Sequence, residues 1–303
     1  MIIPQQYAAF GPGKVILLGE HGVVYGQPAL AAAISRGIVA TGRPAKRCAL
    51  VVPQALGAEH QAPLRQAFTK AARAVGSPKV EVTLASDLPV SMGLGSSGAL
   101  AVACARLLLQ ASGEVPRPPR VNALALLMEK EFHGTPSGVD HTTSGLGGVV
   151  LFQRGRAKSL PIKRPLKVLV ALVGERPPTK ATVAALRARQ ARWPRAYRRI
   201  FSEVGKVATD GAQATRQGDY ERLGDLMNIN HGLLVALQLS SDRVDSMVRI
   251  LRAHGALGAK LTGAGGDGGA VVGLFWEPEP VVALLLREGI KCFSSQLGGP
   301  RAL

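Results

Sequence analysis

The chain has 303 residues, 47% of them hydrophobic and only 4% aromatic, which is enough apolar material for one large domain or two medium ones. A formal charge of +17 attracts anions of any kind, so nucleic acid, acidic membranes and small anionic substrates all enter as candidate partners. Arginine, lysine or glycine interrupts every apolar run before it could span a bilayer, and MIIPQQYAAFGPGK lacks the charged-then-apolar order of a secretory leader.

Three widely separated cysteines, Cys48, Cys104 and Cys292, fit reduced thiols better than disulfides or a metal cluster. Together these features predict a soluble, cytoplasmic protein without a membrane partner.

In chain order, Tyr7 to Phe10 and Val15 to Leu18 read as short strands around a GPGK turn. A second turn, GEHGVVYGQ, leads to an apolar run from Ala29 to Ile34. Pro63 to Val75 reads as a helix, and Val80 to Leu84 alternates as a half-buried strand. Next comes PVSMGLGSSGALA, from Pro89 to Ala101, where glycines and serines open a helix. Leu100, Cys104, Leu107, Leu108 and Ala111 fall on one face of that helix. A further helix is predicted from Asn122 to His133 with Asn122 as its N-cap. HGTPSGVDHTTSGLGG reads as a loop, followed by a strand from Val149 to Phe152.

A basic, proline-marked stretch over residues 155 to 165 suggests a domain boundary, giving domains 1–160 and 161–303. Leu166 to Val173 is a fully apolar strand. Helical patterns run on to about Ala253, broken at Gly218 and near Ser240. Strands Ala259 to Thr262 and Ala270 to Phe275 flank TGAGGDGG. A helix from Pro280 to Glu288 and a strand from Ile290 to Phe293 close the pattern. Much of the positive charge lies between Lys180 and Arg216. Trp193, Tyr197, Ile200, Phe201 and Val204 recur there at helical spacing, so the aromatics read as core and the arginines as a solvated face. No nucleic-acid partner is expected on that pattern.

Three glycine-rich turns carry the chemistry. In Gly93, Leu94, Gly95, Ser96, Ser97 and Gly98, glycines let several amides converge on one anion, and the following helix adds its free N–H groups and dipole. Glycines before a helix also make plain turns, so this loop alone does not define a site. Lys14 can place a positive charge on a phosphate, Ser97 offers an oxygen to magnesium, and Glu129 can complete that metal site. Asp140 can accept a proton from an alcohol. Phosphoryl transfer needs this set of parts: an anion cradle, a divalent metal, a cation and an aligned hydroxyl.

The ordered motifs PGKVILLGEHGVVYGQPAL, PVSMGLGSSGA, GTPSGVD and KLTGAGGDGG resemble the GHMP kinase superfamily of galactokinases, homoserine kinases, mevalonate kinases and phosphomevalonate kinases. GEHGVVYG, PSGVD and the segment MNINHGLLVALQLSSDRVDSMV are most similar to its mevalonate-phosphorylating branch. The resemblance implies an α/β (α+β) two-domain fold, with a ribosomal protein S5 domain 2-like first domain and a ferredoxin-like second one. It also implies Mg2+ as cofactor, ATP and mevalonate as substrates, and a homodimer. ATP would lie over Pro89, Met92 and Gly93 to Gly98. Asp140 and Lys14 match catalytic positions, and Ser97 and Glu129 match metal positions. Glu20, His21, Thr179 and Gly265 match positions near substrate. Two readings of Asp140 stay open, a true base or a charge stabiliser. A sister kinase for phosphomevalonate or another small hydroxy acid also stays open, as does a nucleotide-binding protein without turnover. Asp267 inside the third turn and Pro178 before Thr179 depart from the family pattern.

Overall fold

A computed structural model describes residues 6–52, 58–89, 92–134, 136–163, 166–174 and 179–297. Two sheets organise them. The first is built on β2 (Ala29–Pro44), which pairs along one edge with β1 (Tyr7–Leu18). Its other edge is shared by β4 (Val80–Ser86), opposite residues 38–44, and β5 (Val149–Gln153), opposite residues 29–32. β3 (Ala49–Leu50) and β6 (Arg156–Leu160) complete the order β3-β4-β2-β5-β6. Because β1 pairs with β2 alone among the described strands, its outer edge must be satisfied by something other than a strand.

Helices α1 (Ala58–Arg73), α2 (Ser96–Ala111), α3 (Pro118–His133) and α4 (Val139–Leu146) gather around this sheet. α2 is its centre. Residues on all sides of it, from Ala99 and Val102 to Cys104, Leu107 and Leu109, are fully buried. A helix apolar all round must sit inside. The expectation of a single buried face therefore understated its burial. Burial also pushes the Cys104 thiol up to about 12, which leaves it inert.

The second sheet, antiparallel in the order β10-β7-β9-β8, contains β7 (Leu166–Val173), β8 (Gly258–Thr262), β9 (Gly269–Phe275) and β10 (Cys292–Leu297). α5 (Thr179–Arg192), α6 (Pro194–Gln217), α7 (Tyr220–Ala236), α8 (Asp242–Ala253) and α9 (Glu279–Arg287) complete this unit. The apolar core is continuous across the two units: Leu17 and Leu18 of β1 share one cluster with Ala208 and Ala212 of α6 and with Leu223 and Met227 of α7. Each fully buried leucine there contributes about 2 kcal/mol. No helix among the described residues is long and apolar enough to cross a membrane.

Several sequence expectations are corrected. GPGK is not a turn between two strands. β1 runs straight through it with a bulge between Pro12 and Lys14, and Gly11 is packed too tightly against the Ala99 carbonyl to carry a side chain. Asn122 does not cap α3. Pro118 and Pro119 occupy the first turn and Arg117 is the N-cap, so Asn122 lies inside the helix. The glycine-rich stretch after His133 is not all loop, because Val139–Leu146 is helical. Pro194 opens a new helix at Trp193, which takes Trp193 out of register with Tyr197 and Phe201. Those two are buried, whereas Trp193 is 59% exposed beneath the Arg192 guanidinium. Pro178 lies outside the described residues, as do Val90 and Ser91 of the long glycine-serine stretch.

Candidate active site

Lys14 follows the bulge in β1, and its side chain runs alongside Gly95, the N-cap of α2. Its amide donates to the Leu94 carbonyl at 2.8 Å, and its ammonium reaches the Gly93 carbonyl at 3.3 Å. The same ammonium stands 3.1 Å from Asp140 Oδ1, with the lysine side chain 4% and the aspartate 32% exposed. Asp140 is in the first turn of α4, after Gly138 at φ 90°. α4 lies so close to α2 that a Cβ on Gly98 would stand 2.8 Å from the Asp140 carbonyl carbon and from the His141 amide nitrogen.

Gly95 caps α2 in the left-handed region at φ 71°, which glycine adopts without strain. The Ala99 amide is bonded to the Gly95 carbonyl, so the amides of Ser96, Ser97 and Gly98 precede the helical ladder and are available to an anion. The third turn meets this loop: a Cβ on Gly263 would lie 3.1 Å from Gly93 Cα. Gly265, at φ 70°, is pressed against the Leu239 carbonyl, and Asp267 is exposed rather than turned into the cradle. A cavity of about 640 Å³ opens beside the loop, between Pro89 and Met92 on one side and Val173, Met247 and Lys291 on the other.

Glu129 faces this set from α3 and is 2% exposed. Burial first, and then the charge of Asp140, push its carboxyl up to about 7 against the Ser97 hydrogen bond and the charge of Lys14. Its Oε1 is buried without a hydrogen-bond partner among the described residues. Such an oxygen, beside a second carboxylate and a hydroxyl, suits a magnesium ion that takes its remaining ligands from phosphates and water. No group of three or more His, Cys, Asp or Glu among the described residues would hold a metal unaided. Ser97 Oγ is hydrogen-bonded to His133 Nε2 at 3.0 Å, which places one further polar residue in the site that sequence reasoning left out.

His21 is also buried, and its backbone takes φ 57°, unusual for a residue with a side chain. Its Nε2 stands 2.8 Å from the Ala264 carbonyl, which can only accept, so Nε2 carries the proton and Nδ1 is an acceptor. Burial lowers its pKa, outweighing that hydrogen bond, and the charge of Arg189 lowers it further, which favours the neutral ring. Thr179 is exposed at the start of α5. Glu20 directly precedes His21, and the charge of Lys14 acts on it. It is fully buried, its Oε1 bonded to the Lys260 ammonium and its Oε2 to Asn230 Nδ2 at 3.2 Å. Lys260 and Asn230 carried no signal of this: both sit in segments whose motif value lay elsewhere.

The GHMP kinases N terminal domain model matches residues 63–148, and the GHMP kinases C terminal model matches residues 212–287. The chain is 34% identical over 293 residues to the mevalonate kinase of Pyrococcus furiosus, covering 86% of each chain. It is 36% identical over 290 residues to that of Aeropyrum pernix, covering 89% of each. Among solved structures, it resembles L. major mevalonate kinase in complex with R-mevalonate with a TM-score of 0.85 and 27% identity. That match covers 99% of this chain and 100% of the other.

Proposed function

The chain belongs to the GHMP kinases, and from that premise we propose that it transfers the γ-phosphoryl group of ATP to the primary hydroxyl of mevalonate. The relatives are mevalonate kinases over most of both chains, and the structural likeness extends to one holding R-mevalonate. The single observation that carries the chemistry is the Lys14–Asp140 pair, 3.1 Å apart at the open end of α2.

In this reading the free amides of Ser96, Ser97 and Gly98 hold phosphate oxygens, and Pro89, Met92, Gly93, Leu94 and Gly95 shape the nucleotide side of the cleft. Asp140, one-third exposed, takes the proton of the substrate alcohol as it attacks in line. Lys14 balances the negative charge that grows on that oxygen. Glu129 and Ser97 are the residues to hold magnesium, which when bound neutralises phosphate charge. Neutral His21 offers Nδ1 as an acceptor. That suits a hydroxyl of mevalonate and disfavours its carboxylate, which has no proton to give. Thr179 and Gly265 line the substrate side.

The division into an ATP-binding unit (1–160) and a second unit (161–303) belongs to the same proposal. So do a cytoplasmic location, suited to the free thiols of Cys48, Cys104 and Cys292, and a homodimer, which light scattering at twice the chain mass would support. The test of function is ADP release by purified protein with ATP and magnesium. Turnover with mevalonate and none with phosphomevalonate supports the proposal. The reverse pattern assigns the sister activity.

A further inference from the structure

Among the described residues no strand pairs with the outer edge of β1, which is met by the Leu94 carbonyl at Lys14 and by side chains at Ile16. Thr262 Oγ1 accepts from the Ile16 amide at 2.9 Å and donates to the Ile16 carbonyl at 3.1 Å. Asn230 Oδ1 accepts from the Gly19 amide at 3.2 Å. Lys260, with no exposed surface, donates to the Ile16 carbonyl at 3.4 Å, to its neighbour's carbonyl on Leu261, and to Glu20. Thr262, Lys260 and Asn230 all come from the second unit, so they fasten it to the strand end that bears Lys14 and leads into His21.

Two facts make this more than packing. A buried ion pair is seldom kept for stability, since apolar residues of similar volume serve as well or better. His21 also holds a left-handed backbone, and such strain persists only where the surroundings over-determine it. Those surroundings are Gly19 on Asn230, Glu20 on Lys260 and Asn230, and the His21 ring on Ala264. We infer that Glu20, Lys260 and Asn230 form a buried polar latch that positions the His21 turn for the hydroxy acid, with Glu20 acting through Lys260 and not on the ligand. Glu20 is thus a positioning residue. The inference rests on mevalonate being the substrate, as read above. Desolvation drives the Glu20 carboxyl up and the Lys260 ammonium down, and each resists the other's neutralisation, so the two operate as one unit.

The test is a double-mutant cycle in the full chain with Glu20→Gln and Lys260→Met, measuring KM for each substrate. Glu20→Gln should raise KM for mevalonate at least tenfold and leave KM for ATP within twofold. The double variant should be no worse than the worse single one, because residues acting as a unit are non-additive. Effects that multiply, or an unchanged KM for mevalonate in folded Glu20→Gln, would overturn the latch. If Lys260→Met does not fold, Lys260→Gln replaces it in the cycle. A second readout needs no substrate: Asn230→Ala should speed hydrogen exchange at the Gly19 amide at least tenfold while β7 amides hold, and unchanged exchange overturns the inference. A wild-type enzyme inactive on mevalonate would refute the substrate reading, and the exchange result would still judge the latch.

Discussion

Glu129→Gln offers a quantitative test of the metal side of the site. The carboxyl is pushed up from 4.5 to about 7, chiefly by burial and then by Asp140. The folded chain therefore keeps a proton that the unfolded chain has lost across this window, and stability falls as pH rises through it. At about 1.4 kcal/mol per pKa unit, the full penalty above pH 7 is on the order of 3 kcal/mol. Glutamine has nearly the same shape and no charge to bury, so the variant escapes the penalty. Urea denaturation without magnesium or nucleotide, from pH 4.5 to 8.5, should show the variant slightly apart from wild type at the acid end. The gap should widen to about 3 kcal/mol in the variant's favour at the alkaline end. Magnesium with ATP should then narrow the gap by stabilising wild type more. A gap that does not change with pH would refute the buried carboxylate, with its unpartnered Oε1, on which the metal assignment depends.

Asp140→Asn should leave ATP affinity nearly intact and cut turnover at least about a hundredfold, which nucleotide titration and steady-state kinetics check together. His231 carries the opposite pH signature: burial, then the charge of Lys260, lower its pKa from 6.5 to about 4 despite the bond to Asp245. Its contribution is present above pH 6.5 and is lost as pH falls through 4, about 3 kcal/mol in all. His231→Gln should flatten that acid limb in denaturation curves, and parallel curves would contradict it. Gly98→Ala puts a methyl 2.8 Å from backbone atoms of Asp140 and His141, which cannot swing aside. We expect a loss of about 1–3 kcal/mol in stability and about tenfold or more in turnover, read from melting and kinetics on one preparation.

The motifs were legible because phosphate chemistry demands particular residue types beside glycine turns, and Lys14, Ser97, Glu129 and Asp140 do converge. What the sequence hid has physical causes. Glycine and proline in GPG read as a turn, but Gly11 lies where β1 passes so close to Ala99 of α2 that no side chain fits. The stretch around Asp140 is rich in glycine and threonine, poor helix formers, yet packing against α2 makes Val139–Leu146 helical. Local spacing could not show that Trp193 is cut off from its helical face by Pro194. Lys260 stands in the KLTGAGGDGG motif. Its partner, Glu20, is 240 residues away, and no local pattern links them.

The account's central claim is tested most directly by the product itself. After incubation with ATP, magnesium and R-mevalonate, phosphorus NMR and mass spectrometry should find one new phosphate monoester, coupled to the methylene protons of the former primary alcohol, in equal amount to ADP. ADP without that ester, or an ester on the tertiary hydroxyl, would contradict the account.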